Sequence, residues 1–596
     1  MDIFSSSTSM DPAKEVEDHL LSLLKPVNIA IDRGDSPIQQ FYRNATIFLT
    51  GGSGFIGKQL VEKLCRSCEI KKIYLLMRPK KNKTIQQRLK IILNDPVFDE
   101  LRKKKPQFQD NVVAVEGDVA DIRLGLSDMD WTMLAEEVNF IFHVAATVRF
   151  DEPLKVATLI NVRGPREALQ LAKECKNFKC FTHTSTAYAH ATISRINGDV
   201  EEKFYQCPFP PEDLISMAET MDENQLYEIV ASVMNEWPNT YTFTKAIGEE
   251  VIRTSGQDLP KCIVKPPVVT STYLEPAPGW IDSNACLSSP VGFMLGAGLG
   301  ILHIHLIDKD LITCYAPVDF VNNAIIAAPW DTVEKKANGE TEVPIYTVST
   351  SGCKIKWRLF SDYLRLEETL KLASSVSVWY CFGIETTNNF VYWLLTWLLH
   401  YIPGYIIDGL VDLLRIRPKG IPPLMKVYRK LYKITKAYQY FCTNNWNFRD
   451  DNLKAMIQRM SPQDRIIYNC DVTTINFDNL LKAWIIGLRK FIVKDGLRGS
   501  DIGRTCYSVY SGRGNFKFPT ALSIVFRSSF SKGHFIIERP LTSLLAEEVV
   551  RLNCGDIPAC VVRPPVVVPA YYEPSPGWSD LSAIYGPTGV SILKPR

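Results

Sequence analysis

Tyr241 and Lys245 stand four residues apart in Tyr-Thr-Phe-Thr-Lys, a spacing that puts both side chains on one face of a helix. A phenol with its ordinary pKa of about 10 is a poor acid at neutral pH unless a neighbouring cation stabilises the phenolate, and Lys245 can be that cation. Ser185 and Thr186, in His-Thr-Ser-Thr-Ala-Tyr, can each donate a hydrogen bond to a carbonyl oxygen that turns negative. An acid, a cation and a hydroxyl donor are the parts needed to reduce a carbonyl by hydride transfer. Tyr-x-x-x-Lys alone recurs on many helices, so its weight depends on whether a hydride carrier has a place to bind.

Thr50–Gly57 reads Thr-Gly-Gly-Ser-Gly-Phe-Ile-Gly and follows the apolar run Ala45–Leu49. Glycines at 51, 54 and 57 suit a tight turn, a close backbone approach to a pyrophosphate, and helix–strand packing. Thr50, Phe55 and Ile56 complete this loop, whose helix N-terminus offers free N–H groups to phosphate. Arg78 lies just past the next strand, where a binder of NAD carries an acid on the ribose 2′-hydroxyl. An arginine there accommodates a 2′-phosphate, so NADPH is expected, with Lys80, Lys81 and Lys83 reinforcing the field; a solvated basic loop is the competing reading. Asp118 and Val119 in Glu-Gly-Asp-Val, Ala145 and Ala146 in Phe-His-Val-Ala-Ala, and Pro266 fall at strand ends beside the expected cofactor, and Lys245 also suits its nicotinamide ribose.

The elements that must hold these residues alternate. Apolar runs at 45–50, 71–77, 111–119, 140–146 and 179–188 read as strands, and 55–68, 84–93 and 165–175 carry helical spacing. Strands alternating with helices predict an α/β, doubly wound parallel sheet of Rossmann type over residues 45–365. Residues 1–44 read as a loosely attached polar arm. A helical domain is expected over 366–495, with Trp446, Met456, Trp484 and Phe491 in its core. Within it, Phe390–Ile407 carries no Asp, Glu, Lys or Arg, and Arg415, Arg417, Lys419, Lys426, Arg429, Lys430, Lys433 and Lys436 follow without an intervening acid. A buried core helix followed by a solvated face would explain the segment 390–436. So would a membrane-associating patch, with Tyr392, Trp393, Trp397 and Tyr401 at headgroup level and Pro403-Gly404 breaking the run into an interfacial hairpin.

The chain of 596 residues is 46% hydrophobic and 22% charged, which excludes a disordered or collagenous protein. Its 68 basic and 65 acidic residues leave no field that would attract nucleic acid. Fifteen scattered cysteines suit a reducing compartment; Cys65-x-x-Cys68 has no second pair, so no metal site is expected, and His303-x-His305 reads as structural. Glu547–Asp580 repeats Glu249–Asp282 with 19 of 34 residues identical. This copy has no glycine loop, and Arg539 and Ser543 stand where the first has Tyr241 and Lys245. Residues 496–596 therefore read as a truncated duplicate, not an independent domain.

These motifs, in this order, resemble the extended short-chain dehydrogenase/reductases and, more closely over about 44–495, the alcohol-forming fatty acyl-CoA reductases. The resemblance rests on Thr-Gly-Gly-Ser-Gly-Phe-Ile-Gly, on the stretches at 73–84, 142–164 and 182–191, on Tyr-Thr-Phe-Thr-Lys, on 266–282, and on 315–331 and 477–495. It implies reduction of a long-chain acyl-CoA to a primary alcohol with two NADPH. It also implies a membrane-associated protein, its catalytic domain facing the cytosol, on the endoplasmic reticulum or peroxisome. Cys286–Gly292 departs from the Gly-Pro-Thr-Gly usual after this segment, which the tail keeps at Gly586–Gly589, and Lys265-Pro266-Pro267 replaces Arg-Pro-Ser. A non-catalytic acyl-CoA-binding or protein-interaction member, and an NADP-dependent sterol or sugar dehydrogenase or epimerase, stay open as alternatives. The oligomeric state is not legible.

Overall fold

The five residues of strand β1, Thr46–Thr50, are all buried, as a strand covered on both faces requires. A computed structural model describes residues 10–504, apart from 81–82, 288, 351, 353–354, 378–380, 416 and 418–421. Strands β2 (Lys72–Met77), β3 (Val112–Glu116), β4 (Phe140–His143), β5 (Cys180–Thr184), β6 (Lys261–Lys265) and β7 (Ile345–Thr347) join β1 in one sheet ordered 7-6-5-4-1-2-3. All its pairs are parallel; Leu49 faces Leu75 on one side and Phe142 on the other. The order reverses between β1 and β4, so the crevice beyond their carboxyl ends is where a nucleotide fits.

Helices cover both faces. The helix α1 (Phe55–Ser67) follows β1, α2 (Gly164–Glu174) lies between β4 and β5, and α3 (Thr240–Thr254) precedes β6. Two apolar cores result, one holding Phe48, Ile141, Phe181 and Ile263, the other Leu49, Phe142, Cys180 and Val264. Strand residues alternate between them, as the period of two demands. The second core also contains Leu453, Met456 and Trp484 from the helical region, so the expected boundary at 365 does not separate two cores. Trp446 is buried as expected, while Phe491 is only partly so.

Residues 1–44 are not a loose arm where the structure describes them. Helices Pro12–Ser22, Lys25–Arg33 and Pro37–Phe41 bury Ala13, Leu20 and Ile38, and the Tyr42 hydroxyl donates to the Ile326 carbonyl at 2.8 Å. The boundary at 495 also moves. Ser500 donates through its hydroxyl to Asp11 Oδ1 at 2.6 Å and accepts from Arg489 at 2.6 Å, which ties 496–504 to the body. Residues 505–596, with the duplicate stretch, lie outside the described residues.

Four later helices matter for function: α4 (Pro290–Gly298), α5 (Asn389–Leu413), α6 (Leu424–Cys442) and α7 (Phe477–Gly487). Pro403-Gly404 do not break α5. A π-turn over Trp397–Tyr401 absorbs the proline and the helix continues, so the hairpin forms later, between α5 and α6. Tyr392, Thr396, His400, Gly404 and Asp408 recur every four residues on the buried face. Tyr392 therefore leaves the expected aromatic belt and stacks on Tyr432 at 5.6 Å. Phe390, Trp393, Trp397, Leu398, Ile402 and Ile406 form the opposite, exposed face.

Candidate active site

The carboxyl ends of six strands converge at the crevice, and each carries one of the expected residues. Gly51, at the end of β1, has φ +78°, and a Cβ there would lie 2.7 Å from the Ala145 nitrogen beyond β4. Only glycine satisfies both the backbone and the contact. Ala145 donates its N–H to Thr50 Oγ1 at 3.3 Å, and that oxygen lies 3.2 Å from His143 Nδ1, which joins the two strand ends. A Cβ on Gly57 would overlap the Gly51 carbonyl, so the start of α1 sits directly on the loop.

Gly54 caps α1 with no side-chain hydrogen bond, leaving first-turn amides turned toward the loop. This cradle fits a dinucleotide's pyrophosphate. The Phe55 ring stacks on Trp280 at 5.1 Å, and the Ile56 carbonyl accepts from Asn322 at 3.0 Å. Phe55 and Ile56 are thus anchored by packing, and their backbone N–H groups are what they can offer a ligand.

Arg78 follows β2 and is 62% exposed, its guanidinium 3.5 Å from Asp118 Oδ2. At that distance and exposure the pair leaves Arg78 able to turn toward a phosphate. Lys80 and Lys83 are exposed nearby, and Lys81 lies outside the described residues. Asp118, beyond β3, accepts at Oδ1 from the Ala120 N–H at 3.0 Å. Val119 is buried and fills the space a side chain on Gly164 would need, so it supports the crevice from behind. Ala146 is partly exposed beside Ala145.

Tyr241 and Lys245 lie on α3 as the spacing predicts, but Lys245 does not lower the phenol. Burial pushes Tyr241 up to about 12, with a Thr186 hydrogen bond acting the other way. Burial pushes Lys245 down to about 8 against the pull of Glu249, and its Nζ donates to the Thr184 carbonyl at 2.7 Å. A phenol held high keeps its proton at neutral pH, the form a proton donor needs.

The two strand-end hydroxyls separate. Thr186 stays on the Tyr241 side, its Oγ1 accepting from the Tyr188 N–H at 3.3 Å and donating to the Pro266 carbonyl at 3.4 Å. Ser185 points elsewhere and donates to Glu249 Oε1 at 2.5 Å. Glu249 Oε2 lies 3.0 Å from Lys265 Nζ and 3.2 Å from His190 Nε2, and all three side chains are buried. Burial alone would raise the Glu249 carboxyl; Lys265, His190 and Ser185 override it and hold it at about 2. Lys265, a departure in the sequence, is thus the cation of a buried network.

Sequence reasoning missed Glu249 and His190, although Glu249 continues the four-residue stride of Tyr241 and Lys245 along one helix face. It also missed Asn161, which sits in a π-turn over Leu159–Arg163 and donates to Thr244 Oγ1 at 3.0 Å and the Thr147 carbonyl at 3.3 Å. Phe150 stacks on Tyr241 at 5.9 Å and carries the site toward α6 through Tyr438 at 5.1 Å and Phe441 at 5.5 Å. Cys65 is buried on α1 and Cys68 just past its end, with Cys68 Sγ 3.1 Å from the Tyr468 hydroxyl. His303 stacks on Phe382 at 4.2 Å.

A glycine loop at the switch point of a parallel sheet, together with a helix-borne tyrosine beside the Thr186 hydroxyl past β5, defines a nicotinamide-dependent oxidoreductase. Male sterility protein family models match residues 49–325, the NAD-binding part, and 399–495, the sterile part. The chain is 35% identical to fatty acyl-CoA reductase wat of Drosophila melanogaster, over 82% of this chain and 90% of that one. It is 31% identical to fatty acyl-CoA reductase 1 of Mus musculus, over 78% and 88%. The chain belongs to the fatty acyl-CoA reductase family. Among solved structures, the terminal reductase domain of the myxalamid biosynthetic pathway is 17% identical with a TM-score of 0.49, covering 78% of this chain and 98% of that one.

Proposed function

We propose that this protein reduces a long-chain fatty acyl-CoA to the primary alcohol with two NADPH while docked on a membrane surface. The observation that carries the reading is that Tyr241 beside Thr186, Lys245 on the Thr184 carbonyl, and the glycine loop past β1 all stand at the carboxyl end of one parallel sheet, in a chain of this family. Bound NADPH supplies the hydride in each of two successive reductions.

Thr186 and Tyr241 hold the acyl oxygen, and their hydrogen bonds strengthen as it gains charge. In the first round the oxygen's electron pair re-forms the carbonyl, the carbon–sulfur bond breaks, and coenzyme A leaves as the thiolate and takes a proton from solvent, giving an aldehyde. In the second, Tyr241 gives its proton to the alkoxide oxygen. Lys245, fixed on the Thr184 carbonyl, holds the nicotinamide ribose. Arg78, with Lys80 and Lys83, favours the 2′-phosphate. The exposed face of α5 meets the acyl region of a leaflet, and Lys426, Arg429, Lys430 and Lys433 on α6 face its anionic headgroups at about 1 kcal/mol each.

Purified protein given hexadecanoyl-CoA with NADPH or NADH, in the presence of lipid vesicles, tests the reading. The expected result is hexadecanol, two NADPH oxidised per coenzyme A released, and little turnover with NADH. Binding without alcohol would support the non-catalytic alternative.

A further inference from the structure

Three cavities in the described residues share walls, the inner one beginning behind the rings that stack on Tyr241. The inner one is lined by Tyr188, Val268, Phe293 and Phe441, among others. Tyr188 lies two residues past Thr186 and Val268 two past Pro266, so its walls continue the segments that form the catalytic edge. Phe441 touches Phe150, which stacks on Tyr241. Pro290, Phe293, Trp357, Tyr438 and Cys442 also line the middle cavity. Met294, Leu364 and Cys381 then belong to both the middle cavity and an outer one.

The walls are largely apolar, with Thr313 Oγ1 and Trp446 Nε1 on the inner cavity and Thr369 Oγ1 on the outer one as the few polar atoms not paired with protein. Ser361 donates to Glu385, and Arg365 donates to the Gly383 carbonyl at 3.0 Å. A lining this poor in polar groups suits a flexible hydrocarbon, not a sugar or a sterol nucleus with several hydroxyls to satisfy.

We infer that the fatty acyl chain of the substrate lies in this bent channel, and that one face of α4 sets the length it accepts; the inference rests on the proposed acyl-CoA reduction. Met294 stands at the outer junction, Ala297 on the wall of the middle cavity, and Gly298 on the outer one. A Cβ added at Gly298 meets nothing within 4 Å. The departure at Cys286–Gly292 is then a change in the channel: Ser289 and Pro290 line its inner cavity, while the Tyr241 network is built elsewhere.

The test is kcat/KM for saturated acyl-CoAs of ten to twenty carbons, in wild type and in Ala297→Phe, Gly298→Leu and Met294→Ala. A methylene denied its seat costs about fourfold, so chains two carbons too long lose more than about tenfold. Ala297→Phe is expected to cut off at shorter chains than Gly298→Leu, and Met294→Ala is expected to shift the optimum longer. Gly298→Leu keeps the test open if the bulkier Ala297→Phe fails to fold. Equal losses at every length in the folded variants would overturn the channel while leaving the reductase reading intact. Absence of alcohol from any acyl-CoA in wild type would instead overturn both.

Discussion

Around Tyr241, buried polar side chains are tied to one another: Ser185 to Glu249, Glu249 to Lys265 and His190, Lys245 to the Thr184 carbonyl. Around α4, largely apolar side chains, among them Phe293, Met294 and Leu306, border open space. The two regions prepare for different ligands. A charged dinucleotide and a reacting carbonyl need donors fixed before they arrive, and a fixed network provides that in a low-dielectric setting. A hydrocarbon chain needs only dry space of the right length, recognised through area and shape.

A large expected effect separates the two strand-end hydroxyls. Thr186→Val removes the donor beside Tyr241 and is expected to lower kcat by about 10²–10³, with KM for acyl-CoA little changed. Ser185→Ala, which only loosens the Glu249 network, is expected to lose about tenfold or less. Steady-state kinetics on both variants would break the distinction if the losses were equal.

Gly51→Ala puts a Cβ where φ is +78° and against the Ala145 nitrogen. The strain of about 1–3 kcal/mol is expected to weaken NADPH binding by about 10–100-fold, measured by fluorescence titration, with the circular dichroism spectrum retained.

Much of this first region was legible because backbone requirements are written in local sequence. The glycines of the loop and the strides of α1 and α3 predicted their elements, and strand ends marked the cofactor edge. Ser185 and Thr186 could not be ranked, because which hydroxyl faces the phenol is set by Glu249 and Lys265, brought in from α3 and β6. The effect of Lys245 on Tyr241 was misjudged for a similar reason: spacing gives adjacency, but burial sets the sign. The channel left no local signal at all. Its walls come from Tyr188, α4, Trp357, Cys381 and α6, joined only in the fold, and Tyr392 shows that aromatic residues in one apolar helix divide between core and surface by a stride of four.

Two smaller effects sharpen the contrast. Glu249 is held at about 2, below its ordinary value of 4.5, so its ionised form stabilises the fold by on the order of 3 kcal/mol above pH 4.5. That contribution falls away as pH drops from 4.5 toward 2. Glu249→Gln should therefore lower the urea midpoint at pH 7, and the gap from wild type should narrow below pH 4.5; a gap constant with pH would show that the charge does not matter. Truncation after Arg504 removes the duplicate and is expected to leave alcohol formation within about twofold of full length. Cutting after Asp495 instead strips Ser500 from Asp11 and Arg489 and is expected to cost stability, read as a lower midpoint in urea.

The proton donor is tested most directly by Tyr241→Phe, with NADPH binding and alcohol formation measured on the same full-length preparation. The account predicts NADPH affinity within about threefold of wild type and alcohol formation from hexadecanoyl-CoA reduced by about 10²–10⁴. Turnover within threefold of wild type would contradict it.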